Sequence, residues 1–247
     1  MSESVLVLGI VILVAGFTGA GTFVLRRLRL TYRPLKPFAA LTTLAGEAIE
    51  SDRTVHVSFG HAGIGGETTL TALAGAELLR FLSERSAIGD RPPTATMSDP
   101  LGLALAQDSV RSALAAGGAL EKYRPAAAVW VPDGSAPLAF GAGAASLAAD
   151  EGASANVMVG RFGAEMAFIA EMGARRDLVQ IAGSDQPEGL AVAYVMSDMP
   201  LLGEEMFVGS AYLARDPVSR GSVLAQEALR ALVVVAIVIG VIIATLS

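Results

Sequence analysis

The stretch VLVLGIVILVAGFTGAGTFVL, Val5 to Leu25, constrains this chain more than any other: 21 consecutive residues carry no charge. A helix rising about 1.5 Å per residue would carry that run across a hydrocarbon layer of roughly 30 Å. A secretory signal would instead show a basic leader, a shorter apolar core and a small-residue cleavage site. Here the leader MSES contains Glu3 and no Lys or Arg, and the basic residues Arg26, Arg27, Arg29, Arg33 and Lys36 follow the run. These flanks predict an uncleaved anchor. A second uncharged run, ALVVVAIVIGVIIATLS, occupies Ala231 to Ser247. It lacks the polar stripe of a helix lying on a soluble core, so it predicts a second span near the short limit of length.

Basic residues mark the cytoplasmic side of a membrane segment. The cluster after the first run and Arg215, Arg220 and Arg230 before the second all belong to the middle of the chain. The expected arrangement is therefore a multi-pass protein of the cell membrane, its central domain cytoplasmic and both termini outside. Residues 1–36 form the anchor and basic collar, 37–222 the cytoplasmic domain, and 223–247 the second span. Five of the 18 basic residues and one of the 24 acidic ones precede residue 37, and none follows 230, which leaves the middle with 13 basic and 23 acidic residues. The collar can meet the headgroups of the lipid bilayer while the acidic body is repelled from them.

Composition narrows the classes further. The chain is 53% hydrophobic with a mean hydropathy of +0.55, too apolar for an ordinary soluble protein. A formal charge of −6 gives a nucleic-acid partner no bulk support. The absence of cysteine removes disulfides, iron–sulfur clusters and thiol nucleophiles. With His56 and His61 as its only histidines, the chain does not suggest a multi-histidine zinc site, and no metal is assigned.

Between the two runs, strand-like and helix-like segments alternate. The strands are read at 54–59, 93–98, 127–132, 155–160, 177–183 and 189–197, and the helices at 39–50, 68–87, 100–116, 137–151, 163–176 and 200–213. Such alternation with short connections predicts an α/β domain with a mainly parallel, Rossmann-like sheet, flanked by N- and C-terminal transmembrane helices. Nearly continuous apolar runs such as AVWV suit strands covered on both faces. Strand order is not legible at this level.

The segment SFGHAGIGGETT raises the question of a phosphate loop. A P-loop needs GxxxxGK[ST]. Gly60 and Gly65 have the outer spacing, but Gly66 takes the lysine position and Glu67 the hydroxyl position. The dinucleotide pattern starts at Gly63 and Gly65 and then meets Thr68 in place of its third glycine. Both motifs fail, so no cofactor is assigned, and a tight strand-to-helix turn is the leading reading. Backbone N–H groups at a helix start can still hold an anion, although Glu67 opposes one. His61 is suited to general-base or relay chemistry, but no Ser or Cys partner for it is apparent. His56, alternating with Val55 and Val57, reads as a packed histidine.

The stretches MSDPL, PDGSAPL and MSDMPL recur at strand ends. Asp99, Asp133 and Asp198 there are explained as helix N-caps followed by a favoured Pro. The same turns gather at the carboxyl edge of an open parallel sheet, where ligands bind. The candidate ligand-binding set is thus Gly60, His61, Gly63, Gly65, Gly66, Asp99, Asp133 and Asp185.

The block RPLKPF, followed by VSFGHAGIGGETT and MSDP, resembles an uncharacterised family of membrane-anchored prokaryotic proteins. The resemblance implies a prokaryotic membrane setting and carries over no catalytic role. The sequence therefore leads first to a two-span membrane protein whose cytoplasmic α/β domain self-associates into a homo-oligomeric ring or scaffold. The alternatives are a membrane-anchored small-ligand or nucleotide-binding enzyme or sensor, and an accessory subunit that contacts other membrane-protein subunits.

Overall fold

A computed structural model of the chain describes residues 33–134 and 136–213, together with positions 9, 12, 15–17, 19, 20, 23, 230, 233, 234, 237 and 245. The chain divides into two compact units, Pro34–Gly209 and a second that joins Met1–Arg33 to Ser210–Ser247. In the second unit the described positions of the two apolar runs are helical, and Ile12, Phe23, Val233, Val234 and Ile237 among them are exposed. Most of both runs lies outside the described residues. Among the described residues no helix is long and apolar enough to cross a membrane.

The Pro34–Gly209 unit is an α/β domain. Its elements are α1 (Lys36–Glu50), β1 (Thr54–Gly60), α2 (Thr69–Ser86), β2 (Thr94–Met97), α3 (Pro100–Ala116), β3 (Ala128–Trp130), α4 (Pro137–Asp150), β4 (Ala153–Arg161), α5 (Met166–Arg175), β5 (Val179–Ser184), α6 (Pro187–Met196) and β6 (Met199–Pro200). The six strands form one sheet in the order β3-β2-β1-β4-β5-β6, and every neighbouring pair is parallel. This is the order of the doubly wound dinucleotide-binding fold, whose direction reverses between β1 and β4. Helices α1, α2 and α3 cover one face, and α4, α5 and α6 the other. Covering both faces buries every residue of TVHVSFG in β1, including the polar Thr54, His56 and Ser58 that alternate with its apolar ones. On the second face Phe140, Met158, Phe162, Met166 and Ile169 build the core.

Two elements differ from the sequence reading. The stretch read as a strand at 189–197 belongs to helix α6, which opens on Pro187 in its first turn. Its buried residues are Gly189 and Ala193, four apart on one side, while Tyr194 is 67% and Val195 79% exposed. Small residues face the sheet and large apolar ones face outward, so the helical period is hidden in a run of β-formers. The helix read at 200–213 is broken instead. Pro200 sits in the short edge strand β6, Gly203 takes a left-handed φ of 57°, and the rest divides into a 3₁₀ turn, Gly203–Phe207, and one helical turn, Gly209–Leu213.

Candidate functional site

The carboxyl ends of β1, β2 and β4 are tied together by backbone bonds that place the side chains of the site. The N–H of His61 donates to the Arg161 carbonyl at 2.8 Å, and the N–H of Ser98 donates to the Gly60 carbonyl at 2.9 Å. Gly60 makes the turn possible: its φ is 61°, and a side chain there would run into the Arg161 carbonyl and the Phe162 ring. Val131 N–H continues the alignment to the Met97 carbonyl at 2.8 Å, carrying the chain toward Asp133.

His61 is the centre of the resulting cluster. Its Nδ1 lies 2.7 Å from Ser98 Oγ and 3.2 Å from Asp133 Oδ2, and its Nε2 lies 3.2 Å from Glu165 Oε1. The imidazole rests on the Phe140 ring at 5.1 Å, tilted by 54°. Its side chain is 20% exposed, Asp133 40% and Glu165 only 4%. Nε2 itself is buried, and its approach to Glu165 is close in distance but poorly aligned as a hydrogen bond. Burial alone would push the Glu165 carboxyl up. The close His61 imidazole, the Gly163 N–H and its own backbone bring it instead below its ordinary value. The Gly163 N–H bond measures 2.7 Å. An ionised Glu165 accepts only and favours a proton on Nε2, while Asp133 favours one on Nδ1; in the Nε2–H tautomer Nδ1 accepts from Ser98.

The sequence reading missed Ser98 and Glu165. Ser98 contradicts the expectation that His61 has no Ser partner. It stands in the recurring strand-end stretch MSDP, with its carbonyl held by Trp130 Nε1–H at 2.7 Å, and directly precedes the cap of α3. Glu165 gave no signal, since it reads as an ordinary charge at the start of a helix.

The other candidates fall into separate roles. Asp99 caps α3 as expected, accepting from Gly102 N–H at 2.8 Å. It also fills the space that a side chain on Gly63 would need. Asp133 does not cap a helix: α4 begins after Ala136 without a side-chain cap, and the Asp133 carboxylate turns to His61. Asp198 does not cap one either. Because 187–196 is a helix, Asp198 reaches the amino end of β5, where it accepts from Gln180 N–H at 2.8 Å. Asp185 pairs with Arg161, at 2.9 Å from Nη2, and accepts from Thr71 Oγ1 at 3.1 Å. Arg161 also pairs with Glu67. Its guanidinium is held above its ordinary value by the hydrogen bond it donates to Asp185 first and by the one it donates to Glu67 second. Glu67 is thus an ion-pair partner of a residue that the sequence reading had passed over.

In the glycine loop the backbone donors are already engaged. Gly63 N–H donates to Thr68 Oγ1 at 3.1 Å, and the N–H groups of Gly65 and Gly66 donate to Thr69 Oγ1 at 3.0 and 3.2 Å. The two threonine hydroxyls stand where an anion would accept. Among the described residues no group of three or more His, Asp or Glu side chains is placed to hold a metal ion.

A family model described as a domain of unknown function (DUF6754) matches residues 1–247. No curated protein and no solved structure matches the chain.

Proposed function

We propose that this chain, which belongs to the DUF6754 family, is a membrane-anchored hydrolase of small esters whose nucleophile is Ser98. The observation that carries the reading is the 2.7 Å contact between Ser98 Oγ and His61 Nδ1, with Glu165 against the opposite nitrogen of the ring. A hydroxyl next to a base that is oriented by a third group is the arrangement of an activated nucleophile. In the first step Ser98 Oγ bonds to the acyl carbon and its proton passes to Nδ1. The imidazolium, flanked by Glu165 and Asp133, then returns that proton to the departing alkoxide. Water repeats the sequence on the acyl-serine and regenerates Ser98.

The position supports this chemistry. Ser98 follows β2, His61 follows β1 and Glu165 follows β4, so the cluster lies where the sheet order reverses and ligands of this architecture bind. Ser98 also precedes the N-terminus of α3, whose dipole favours developing negative charge. Ile64, Leu101, Trp130 and Leu138 are exposed on the same edge and suit an acyl substituent.

Anchoring at both ends belongs to the same proposal. Its support is the pair of uncharged runs and the exposed apolar side chains at their described helical positions. The basic residues that lie between the two runs, next to their inner ends, favour a cytoplasmic central domain in a prokaryotic membrane. A second reading, the self-associating ring or scaffold, draws on Tyr194 and Val195, which α6 presents to solvent. An accessory subunit would use such a surface against a different chain.

The hydrolase reading is tested with short-chain aryl esters and the full chain in detergent. Ser98→Ala and His61→Gln should each lower turnover about 10²-fold or more, because the general base and its nucleophile act as a unit. Turnover that both variants retain, or no turnover above the uncatalysed rate, would overturn it.

A further inference from the structure

Ser98 stands between the last residue of β2 and the N-cap of α3, so neither element sets its backbone on both sides. The peptide before it is held at both ends. The Ser98 N–H donates to the Gly60 carbonyl at 2.9 Å, and the Met97 carbonyl accepts from Val131 N–H at 2.8 Å. The peptide after it, joining Ser98 to Asp99, depends on something else. The Asp99 carbonyl accepts from Leu103 N–H at 3.1 Å and opens the ladder of α3. The helix therefore leaves the Ser98 carbonyl to find a partner outside it. That partner is the indole of Trp130, whose Nε1–H reaches the carbonyl at 2.7 Å.

The register explains how Trp130 comes to be there. It pairs with Met97, so the last residue of β3 lies beside the last residue of β2 and its long side chain reaches one residue further. The ring is 46% exposed, although tryptophan stabilises a fold mainly by burying its large surface. A phenylalanine could fill a half-exposed edge position as well. What it lacks is the indole N–H, the single donor of the tryptophan side chain. With the peptides on both sides pinned, φ and ψ of Ser98 are fixed, and the place of its hydroxyl depends on χ1 alone. That hydroxyl lies 2.7 Å from His61 Nδ1.

We infer that Trp130 is a positioning residue for the nucleophile: its indole N–H, acting through the Ser98 carbonyl, fixes the hydroxyl against the His61 imidazole. The inference rests on the hydrolase reading and assigns that site a residue which touches neither the imidazole nor the hydroxyl. Without the N–H the Ser98–Asp99 peptide is free to turn, and the hydroxyl swings away from Nδ1. Fewer bound esters then meet a nucleophile in attacking geometry. Binding of the ester draws on the apolar side chains of the edge and does not need that geometry. The loss therefore falls on kcat rather than on KM.

Kinetics with short-chain aryl esters and the full chain in detergent test the inference. Trp130 is the only tryptophan in the chain, so supplying benzothienylalanine in place of tryptophan during expression alters this one side chain. The ring keeps its shape and carries sulfur where the N–H was. Both this protein and Trp130→Phe should show kcat lowered about tenfold with KM within about twofold of wild type. Labelling of Ser98 by a fluorophosphonate should slow by the same factor as kcat. The benzothienyl protein should melt close to wild type, which separates lost positioning from lost packing. A kcat equal to wild type in the benzothienyl protein, or a loss confined to KM, would overturn the inference and leave the hydrolase reading standing. Absence of turnover in wild type would overturn that reading and the inference with it.

Discussion

His56 and His61 belong to one strand and the turn that follows it, and their surroundings give them opposite chemistry. His56 is fully buried. Its Nδ1 meets Asn156 Oδ1 at 2.8 Å and its Nε2 meets Thr96 Oγ1 at 2.9 Å. Asn156 passes the chain on to Gln180 Oε1 at 3.2 Å, so a line of polar side chains crosses β2, β1, β4 and β5 inside an apolar domain. Burial lowers the His56 pKa to about 4, against the smaller opposing effect of Asn156. The native state then binds fewer protons than the unfolded chain at any pH between that value and the ordinary 6.5. Its contribution is complete above pH 6.5 and is lost as the pH falls toward 4, on the order of 3 kcal/mol in all. Denaturant unfolding at pH 7 and pH 4.5 should show a smaller loss of stability in His56→Gln than in wild type. Equal losses would contradict the account. His61, by contrast, keeps an open edge and partners that can exchange a proton with it.

The β1–α2 turn shows how an element can look like one device and be another. Its glycines suggest a phosphate loop, yet Thr68 and Thr69 take up the backbone donors. Gly63 is there because the Asp99 carboxylate occupies the adjacent space. Gly63→Ala should displace that carboxylate from its capping position and cost about 1–2 kcal/mol. Gly66→Ala meets open space and should stay within about 0.5 kcal/mol. Thermal unfolding of the two variants separates them, and equal shifts would show that the approach of Asp99 does not constrain the turn. At this scale most elements were legible in the sequence. Strands such as β1 and β4 announce themselves by valines two apart, Val55 and Val57, Val157 and Val159, and Pro100 and Asp99 mark the start of α3. Helix α6 was not legible, because Gly189 and Ala193 do its packing while Tyr194 and Val195 face out. Half of the site was legible for a related reason. His61 and Asp133 are visible as polar residues at strand ends, but nothing local to Ser98 or Glu165 tells that the sheet will bring them to the same imidazole.

Sheet order belongs to the whole molecule, and it decides the site. The order β3-β2-β1-β4-β5-β6 makes β4 a neighbour of β1 although three helices and two strands intervene in the chain, and this long-range pairing brings Glu165 to His61. Local periodicity carries no trace of it. The membrane arrangement is a question at the same scale. Because the chain has no cysteine, single introduced cysteines report cleanly. With the proposed topology, a membrane-impermeant thiol reagent added to intact cells should label Ser2→Cys and leave Ile88→Cys unlabelled until the cells are opened. Labelling of Ile88→Cys in intact cells would place the central domain on the other side. The most direct test of the central claim is covalent. A fluorophosphonate probe incubated with the full chain should attach to one residue, which peptide mass spectrometry would identify as Ser98, and His61→Gln should abolish the attachment. A chain left unlabelled by the probe, or labelled equally with and without His61, would contradict the assignment of Ser98 and His61 as nucleophile and base.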